Sequence, residues 1–430
     1  MGRTFAVIQP IFSQVFLTFY FYSFCELEFK RYTMSSNHNI YRVRKLVFSL
    51  ILVVLGFIAV EGGLRGLQFL MRRFLRNSQG YYLYREQVLE KIWKSDKIAG
   101  DITSSETSIK NELHPYLSYS LKPKQILPTI EINEDGFRGE WIPLSKNEYT
   151  IRIILFGGSV AFGIGATSNQ HTIAGYMEDL LNFSKTRSGA TYEVLNFGIP
   201  GYVSRQELIL LMLKGIRYDP DIVLFLDGAN NLSFVYYDDR YGYPLQFDQI
   251  IQKWNESWLD NSLFFRIAKG LFIEKKEMKC IEDIARSNSR ELGMDWKMAN
   301  DLARANNFKA IFLLQPHLGT FEQKELSPIE KLILKDHYRV FDAKVDVSNY
   351  NEFLTLLEVE KKKGLKVLNL VNIFDDYKDL IFLDTCHVWD KGNLIIARRI
   401  IEFLNLTDLS QEKLLERFNS HLQILPLSEI

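Results

Sequence analysis

The chain has 430 residues, and its 52 Lys and Arg residues are balanced by 52 Asp and Glu residues. That length exceeds an average domain and allows a large buried core. The balanced charge excludes the broad basic field of nucleic-acid-binding proteins, so no nucleic-acid partner is expected. The three cysteines, Cys25, Cys280 and Cys386, form no CxxC pair. The sequence therefore predicts neither a disulfide framework nor a zinc site.

Two apolar stretches lie near the start of the chain. The first, 4–25, has no charged residue but contains Gln9, Pro10 and Gln14. The second, 46–60, is rich in Leu, Val and Ile and is also free of charge. We interpret residues 1–76 as a membrane-anchor region, with a buried core helix as the alternative for the second stretch.

The charges on either side of the second stretch give conflicting orientations. Basic residues before it favour a cytoplasmic N-terminal side, and basic residues after it favour the reverse. Met34, between the two apolar stretches, is an alternative start of translation. The basic residues concerned are Arg42, Arg44 and Lys45 before the stretch, and Arg65, Arg72, Arg73 and Arg76 after it.

Residues 77–148 read as a linker and an N-terminal extension. The part 80–110 is polar and charged, which indicates a helix plus linker. Pro residues and an Asp-Gly pair punctuate 114–139 and predict ordered turns rather than regular elements. A domain boundary is placed near Tyr149.

From Tyr149 to the C-terminus, short apolar runs alternate with segments of helical periodicity. This alternation predicts a three-layer α/β/α sandwich with a mainly parallel five-stranded sheet, in addition to the N-terminal membrane helix. An aromatic insertion at about 232–305 is either a lid or substrate wall, or a helical insertion with its own core. The predicted strands are 151–156, 192–197, 221–226, 310–314 and 366–370, and the predicted helices are 171–182, 206–214 and 394–404.

Small and polar residues follow three of the predicted strands, where an open parallel sheet binds its ligands. Gly157-Gly158-Ser159 follows the first strand, Gly198 to Gly201 the second, and Asp227 to Asn231 the third. An Asp-x-x-His pair, Asp384 and His387, stands near the C-terminus. Each piece is common by itself, but the four in this order form a specific pattern.

These four pieces resemble the sequence blocks of the SGNH (GDSL-like) hydrolase superfamily, over about 151–404. The resemblance implies a serine esterase with Ser159 as nucleophile and Asp384 and His387 as its partners. It implies an oxyanion hole of Ser159, Gly201 and Asn230. Segment 114–139 also looks like the extension of some membrane-anchored bacterial members.

The sequence departs from the family pattern at two positions. Gly158 stands where the family has aspartate, and Asn231 stands where it has a second acidic residue. Neither position carries the family's proton transfer or its oxyanion contact. The departures therefore bear on rate and substrate more than on the class of reaction.

The chemistry of the residues agrees with the resemblance. A serine hydroxyl needs a neighbouring base, and an imidazole such as that of His387 titrates near neutral pH. Asp384 is expected on the same side of a helical turn, where it orients His387. A Gly-x-Ser-x-Gly elbow is absent because Ala161 occupies its last position, and no dinucleotide, cofactor or metal motif is found.

The expected function is hydrolysis of a carboxylic ester, an O-acyl group on a lipid or glycan, through an acyl-enzyme on Ser159. The alternatives are acyl transfer to a polysaccharide hydroxyl, and a non-catalytic binding protein on the same fold. The expected partners are the acylated substrate and the membrane. Because anchored members of the resembled family work outside the cytoplasm, the catalytic domain is expected there.

Overall fold

The computed structural model describes residues 38–76, 88–183, 190–232, 243–244, 262–264, 267, 281–320, 323–338, 343–406 and 411–425. The first apolar stretch, Met34, Cys25, Cys280 and most of the aromatic insertion lie outside these ranges. The chain divides into two compact units. One comprises 1–72 and 258–272, and the other comprises 73–257 and 273–430.

The first unit contains all but the last turn of a long apolar helix, α1 (His38–Arg76). Its part Arg44–Leu70 spans 27 residues with a mean hydropathy of 2.4, and none of that window is buried. A rise of ~1.5 Å per residue gives a length of ~40 Å, which exceeds the ~30 Å hydrocarbon core of a bilayer. The helix is therefore long and apolar enough to cross a membrane, and its exposure argues against a soluble core helix.

Helix α1 carries one carboxylate in its apolar part, Glu61, and residues of the insertion donate hydrogen bonds to it. Glu61 accepts hydrogen bonds from the Ser262 hydroxyl at 2.9 Å and from the backbone N–H groups of Leu263 and Phe264 at 2.8 and 3.0 Å. The ring of Phe57, one helical turn away, meets Phe264 edge-on at 5.7 Å. A segment about two hundred positions later in the chain thus packs on α1.

The second unit is built on a parallel five-stranded sheet in the order β6-β5-β7-β8-β9, which confirms the predicted fold class. Its strands are almost entirely buried, as expected when helices cover both faces. The order reverses between β5 and β7, the place where such sheets bind ligands. The strands are β5 (Thr150–Gly157), β6 (Thr191–Gly198), β7 (Ile222–Asp227), β8 (Lys309–Leu314) and β9 (Val367–Asn369).

Alternate residues of each strand enter two hydrophobic cores, one on each face of the sheet. Ile153 and Leu155 join one core, and Ile154 and Phe156 join the other, as the two-residue period of a strand requires. The first core contains residues of α2 (Asp96–Ser108), α4 (Ile173–Phe183), α7 (Pro328–His337), α9 (Asp390–Leu404) and α10 (Gln411–Ile424). The second contains residues of α5 (Ser204–Leu213), α6 (Ile281–Ala305) and α8 (Ala343–Lys362).

The extension contains regular strands, so the prediction of turns alone for 114–139 is wrong. Strands of two to four residues are too short to show a period in sequence, and pairing partners rather than propensity define them. Arg138 then bridges to Asn196 of β6, which joins the extension to the sheet. The two hairpins pair β1 (Asn111–His114) with β2 (Ser118–Leu121), and β3 (Gln125–Ile126) with β4 (Glu131–Ile132).

The last part of the predicted insertion is a core helix. Helix α6 covers strand β8, and the Trp296 ring stacks on Phe312 at 5.2 Å. It lies in the connection from β7 to β8 and packs on the sheet, so the lid alternative does not apply to 281–305. Of the aromatic residues before it, Tyr243 and Phe264 lie in described ranges, and Tyr243 is 44% exposed.

Candidate active site

The structure places Ser159 at the carboxyl end of β5, as the first residue of the short helix α3 (Ser159–Phe162). Gly157 reaches this turn with φ +155°, a conformation that favours glycine. A Cβ atom on Gly158 would lie 2.0 Å from Nδ2 of Asn230. Two consecutive glycines therefore bring the loops after β5 and β7 into contact beside the Ser159 hydroxyl.

Ser159, His387 and Asp384 form a continuous hydrogen-bonded chain. Nε2 of His387 lies 2.6 Å from the Ser159 hydroxyl, and Nδ1 lies 2.6 Å from Oδ2 of Asp384. The side chains of Asp384 and His387 are only 2% and 15% exposed. The pattern that acyl-transfer chemistry requires, a nucleophile on a base and the base on a carboxylate, is present.

The expected helical turn between Asp384 and His387 is wrong: both residues lie in a bend that precedes α9. The Asp384 carboxylate itself shapes this bend. Its Oδ1 accepts the backbone N–H groups of Cys386 and His387 at 2.9 and 2.8 Å. An aspartate that bonds the backbone two and three residues later turns the chain back, and this brings the imidazole onto Oδ2 without a helix.

The environment of His387 favours a charged imidazole. Burial opposes the charge, but the Asp384 carboxylate and its hydrogen bond outweigh burial and raise the pKa of His387 above its usual 6.5. The ring therefore holds the proton that it takes from a nucleophile more tightly than a free imidazole does. This arrangement suits a general base whose cation is stabilised during the reaction.

The three predicted oxyanion donors lie on loops that meet at Gly158. The Asn230 amide donates to the backbone oxygen of Tyr202 at 2.7 Å, which ties the loop after β7 to the loop after β6. Gly201, next to Tyr202, has φ +84°. Ser159 opens α3, where the first backbone N–H groups have no partner within the helix. The structure thus brings Ser159, Gly201 and Asn230 to one end of the sheet.

Cys386 lies against the imidazole of His387, with its Sγ atom 3.7 and 4.0 Å from the two ring nitrogens. Burial raises the pKa of this thiol, which keeps it protonated near neutral pH. Ligand atoms of Asp384, Cys386 and His387 lie within 4.8 Å of one another, a grouping that the sequence spacing does not reveal. Both ring nitrogens already bond to Ser159 and Asp384, so a metal ion there would have to displace the triad.

His317, which follows the carboxyl end of β8, is 2% exposed. Its ring lies 5.3 Å from that of Tyr350, and burial lowers its pKa to about 4. The next residue, Leu318, donates its backbone N–H to Thr385 at 2.7 Å. His317 is therefore a neutral buried side chain beside the loop that carries His387.

Sequence reasoning misses Arg138, which supports the serine loop from the extension. Its guanidinium donates to the backbone oxygens of Phe162 and Gly163 at 3.2 and 2.8 Å, at the end of α3. It also donates to Thr129 and Ser168 oxygens, and to Asn169. The side chain is buried, and burial lowers the pKa of Arg138 to about 9. In sequence only a Gly-Phe-Arg-Gly turn marks it.

A second contact that sequence reasoning misses joins the segment after α3 to the start of α9, next to the loop that carries His387. The backbone N–H and the hydroxyl of Thr167 both donate to the carboxylate of Asp390, at 3.0 and 2.5 Å. Asp390 is the first residue of α9, three positions after His387. Nothing in the local sequence indicates this contact, because its two partners are 223 positions apart.

Several solved structures match the chain, and three of them are described as an α/β hydrolase, an acetyl xylan esterase and a lipolytic protein. An α/β-hydrolase enzyme from the metagenome of Lake Arreo, Spain, is 14% identical, with a TM-score of 0.35, over 60% of this chain and 97% of that one. An acetyl xylan esterase is 15% identical over 59% and 98%, with a TM-score of 0.35. A Desulfitobacterium hafniense protein described as lipolytic and of the G-D-S-L family is 10% identical over 59% and 98%, with a TM-score of 0.33. No family model and no curated protein matches the chain.

Proposed function

We propose that this protein is a serine ester hydrolase of the SGNH type, anchored to a membrane by α1. The observation that carries the proposal is the unbroken chain of hydrogen bonds from Ser159 through His387 to Asp384. It lies at the reversal of strand order, where sheets of this kind bind ligands.

In the proposed reaction, the Ser159 oxygen attacks the ester carbonyl carbon while Nε2 of His387 takes its proton. Asp384 stabilises the imidazolium, and donors on Ser159, Gly201 and Asn230 bind the negative oxygen of the tetrahedral intermediate. Collapse of the intermediate breaks the ester C–O bond, and His387 gives its proton to the departing alcohol. Water, activated by His387 in the same way, then releases the acid and restores Ser159.

The proposed substrate is a carboxylic ester, such as an O-acyl group on a lipid or glycan, and the catalytic unit is proposed to lie outside the cytoplasm. The membrane is the second proposed partner. A reporter that fluoresces only in the cytoplasm, fused to the C-terminus, tests the orientation. We expect a dark reporter, and bright fluorescence would contradict the orientation.

A fluorophosphonate probe tests the proposed nucleophile, because it reacts with activated serines and forms a stable adduct. The full-length protein is expected to be labelled stoichiometrically, and Ser159→Ala is expected to lose labelling. Cys386→Ala is the matched control, since it removes the other nucleophilic atom near His387 and should retain labelling. Absence of labelling in the unmodified protein would refute the enzyme proposal and leave a binding protein on the same fold.

Hydrolysis of short aryl esters separates the esterase from an acyltransferase, which must shield its acyl-enzyme from water. We expect continuous release of the aryl alcohol. A single burst equal to the enzyme concentration, followed by turnover only when a polysaccharide acceptor is added, would favour transfer.

A further inference from the structure

A separate cavity of about 320 Å³ lies in the second unit, and Ser159, His387 and Asp384 do not line it. Its walls come from the helical turn 88–93, helix α2, the turn between β3 and β4, the start of α4 and the end of α10. Small-molecule sites start at roughly 300 Å³, so the space suits a ligand the size of one sugar ring.

Three buried polar atoms in this wall have no hydrogen-bond partner among the described residues. They are Nε1 of Trp93, the hydroxyl of Thr129 and the hydroxyl of Tyr176. All three can donate a hydrogen bond, and the whole of Tyr176 is 1% exposed. Buried polar groups are normally paired, so three unpaired donors around one cavity point to a partner with acceptor oxygens.

The cavity also presents aromatic rings and titratable groups. The His171 ring stacks on Tyr176 at 5.4 Å, and His421 meets Tyr176 edge-on at 5.2 Å. Nδ1 of His171 is held by the Thr167 hydroxyl at 2.6 Å and by Asp390 at 3.1 Å, so Nε2 is the nitrogen left for a ligand. The His171 side chain is 38% exposed, so its ring is accessible from the cavity.

The charges near the cavity disfavour an anionic ligand. Asp101 lines the wall, Asp390 holds His171, and Asp179 holds His421 at 2.7 Å. The residues that line the cavity include no Lys or Arg, and Arg417 near His421 is already paired with Asp179. A neutral ligand that both donates and accepts hydrogen bonds, and that has an apolar face for the rings, matches this lining.

We propose that this cavity binds one neutral polyhydroxylated ring, a pyranose unit. Trp93, Thr129 and Tyr176 would donate to its hydroxyl oxygens, and Asp101 would accept from its hydroxyl groups. The site is distinct from the proposed catalytic residues but connected to them. Trp93 packs edge-on against Trp389 at 5.8 Å, two residues after His387, and Thr167 bonds to Asp390.

The test uses the full-length Ser159→Ala protein, so that binding is measured without any hydrolysis and independently of the proposed function. Saturation-transfer NMR and thermal shift are recorded with methyl β-D-xylopyranoside and methyl α-D-mannopyranoside, with inorganic phosphate and cyclohexanol as comparisons. We expect saturable binding of at least one pyranoside and none of phosphate or cyclohexanol.

Trp93→Phe and Tyr176→Phe locate the site. Each removes one unpaired donor and leaves the ring, so each is expected to leave the fold intact and to weaken pyranoside binding by roughly 3- to 10-fold, the share of one hydrogen bond. Tyr192→Phe is the control, because its hydroxyl donates to the Leu406 oxygen outside the cavity. It should leave affinity unchanged.

Three results would overturn the proposal. The first is absence of saturable pyranoside binding, which would mean that only water fills the cavity. The second is binding of phosphate with the same affinity as a pyranoside, and the third is unchanged pyranoside affinity in both Trp93→Phe and Tyr176→Phe. Because Ser159 plays no part in these measurements, such a failure leaves the esterase proposal untouched, and failure of fluorophosphonate labelling leaves the cavity untouched.

Discussion

At the scale of single residues, the surroundings of Gly158 explain why the chain differs there from the SGNH sequence pattern that it resembles. The position has a negative φ, so a left-handed conformation is not what excludes other residues there. Lack of space excludes them, since any Cβ at position 158 would overlap the Asn230 amide and lie 3.2 Å from the Tyr202 backbone oxygen. The loop after β7 therefore sits closer to the serine turn than an aspartate at position 158 would allow.

Gly158→Ala is expected to lower kcat for a short aryl ester by roughly 10²- to 10³-fold, the cost of losing one oxyanion donor. The added methyl group displaces the Asn230 amide from beside Ser159. Asn230→Ala should cause a loss of similar size. The double variant should be little worse than either, because both remove the same donor. Additive losses would show that Gly158 acts independently of Asn230.

Asp384→Asn is expected to shift the pH profile and to slow the reaction. The base must be neutral to accept the serine proton, so kcat/KM rises with pH through the pKa of His387. Removal of the Asp384 charge lowers that pKa, and the rising limb moves to lower pH. The maximal rate should fall by about 10⁴-fold, because the imidazole loses its orienting carboxylate.

Stopped-flow or steady-state rates between pH 5 and 10 measure both effects. Asparagine keeps an Oδ1 acceptor for the two backbone N–H groups of the bend, so the fold is expected to persist. An unchanged rising limb in the variant would contradict the assignment of that limb to His387.

Some site residues can be predicted from sequence and others cannot, and the difference is how far along the chain their bonding partners lie. Ser159, Asn230 and His387 stand in short motifs, and parallel strands or a local bend carry them to one place. Arg138 and Asp390 bond to partners on distant segments of the chain, several of them backbone groups that leave no mark in sequence. Long-range contacts of this kind follow from the fold and cannot be deduced from spacing.

At the scale of secondary-structure elements, every strand of the main sheet lies within one residue of its prediction. These strands are buried on both faces, so their continuous apolar runs are easy to recognise. The hairpins of the extension cannot be predicted from sequence, because their strands have only two to four residues and show no period. The sequence predicts an insertion at the position of helix α6, because the long aromatic segment before the helix makes the connection from β7 to β8 unusually long.

Arg138→Lys is expected to disturb the serine loop without touching the substrate. Lysine keeps the charge but lacks the planar fork that spans five acceptors, so the free energy of unfolding should fall by about 2–4 kcal/mol. We expect kcat to fall about tenfold with little change in KM. Chemical denaturation and aryl-ester kinetics measure the two quantities.

Arg205→Lys provides the matched control for Arg138→Lys. Arg205 bonds to Glu291 at 2.9 Å and to Asp295, both on helix α6, and not to the carbonyl oxygens of Phe162 and Gly163. Its replacement should lower stability modestly and leave kcat unchanged. Equal effects of the two replacements on kcat would show that Arg138 has no special connection to the serine loop.

At the scale of the whole molecule, α1 is long and apolar enough to cross a membrane, and extraction from membranes tests the proposal that it anchors the protein. We expect the unmodified chain to stay with membranes after an alkaline carbonate wash. Leu55→Arg combined with Ile58→Arg places two charges near the middle of the apolar span, each at a cost of about 2.5–3.5 kcal/mol, and should make the protein extractable.

Leu113→Arg combined with Ile126→Arg is the control for the extraction experiment. These side chains are 60% and 85% exposed in the second unit, so the same number of charges is added outside α1. This variant should remain in the membrane fraction. Release of the unmodified protein by the wash would contradict anchoring by α1.

The buried guanidinium of Arg138 also limits how the protein can be rearranged by recombination. A cut near Tyr149, where the first strand of the sheet begins, would separate the guanidinium from the carbonyl oxygens of Phe162 and Gly163. The Glu106 carboxylate, which accepts the Gly165 backbone N–H at 2.7 Å, would be lost with it. The smallest portion that can be transplanted onto a foreign anchor, or grafted into another protein, therefore starts before helix α2.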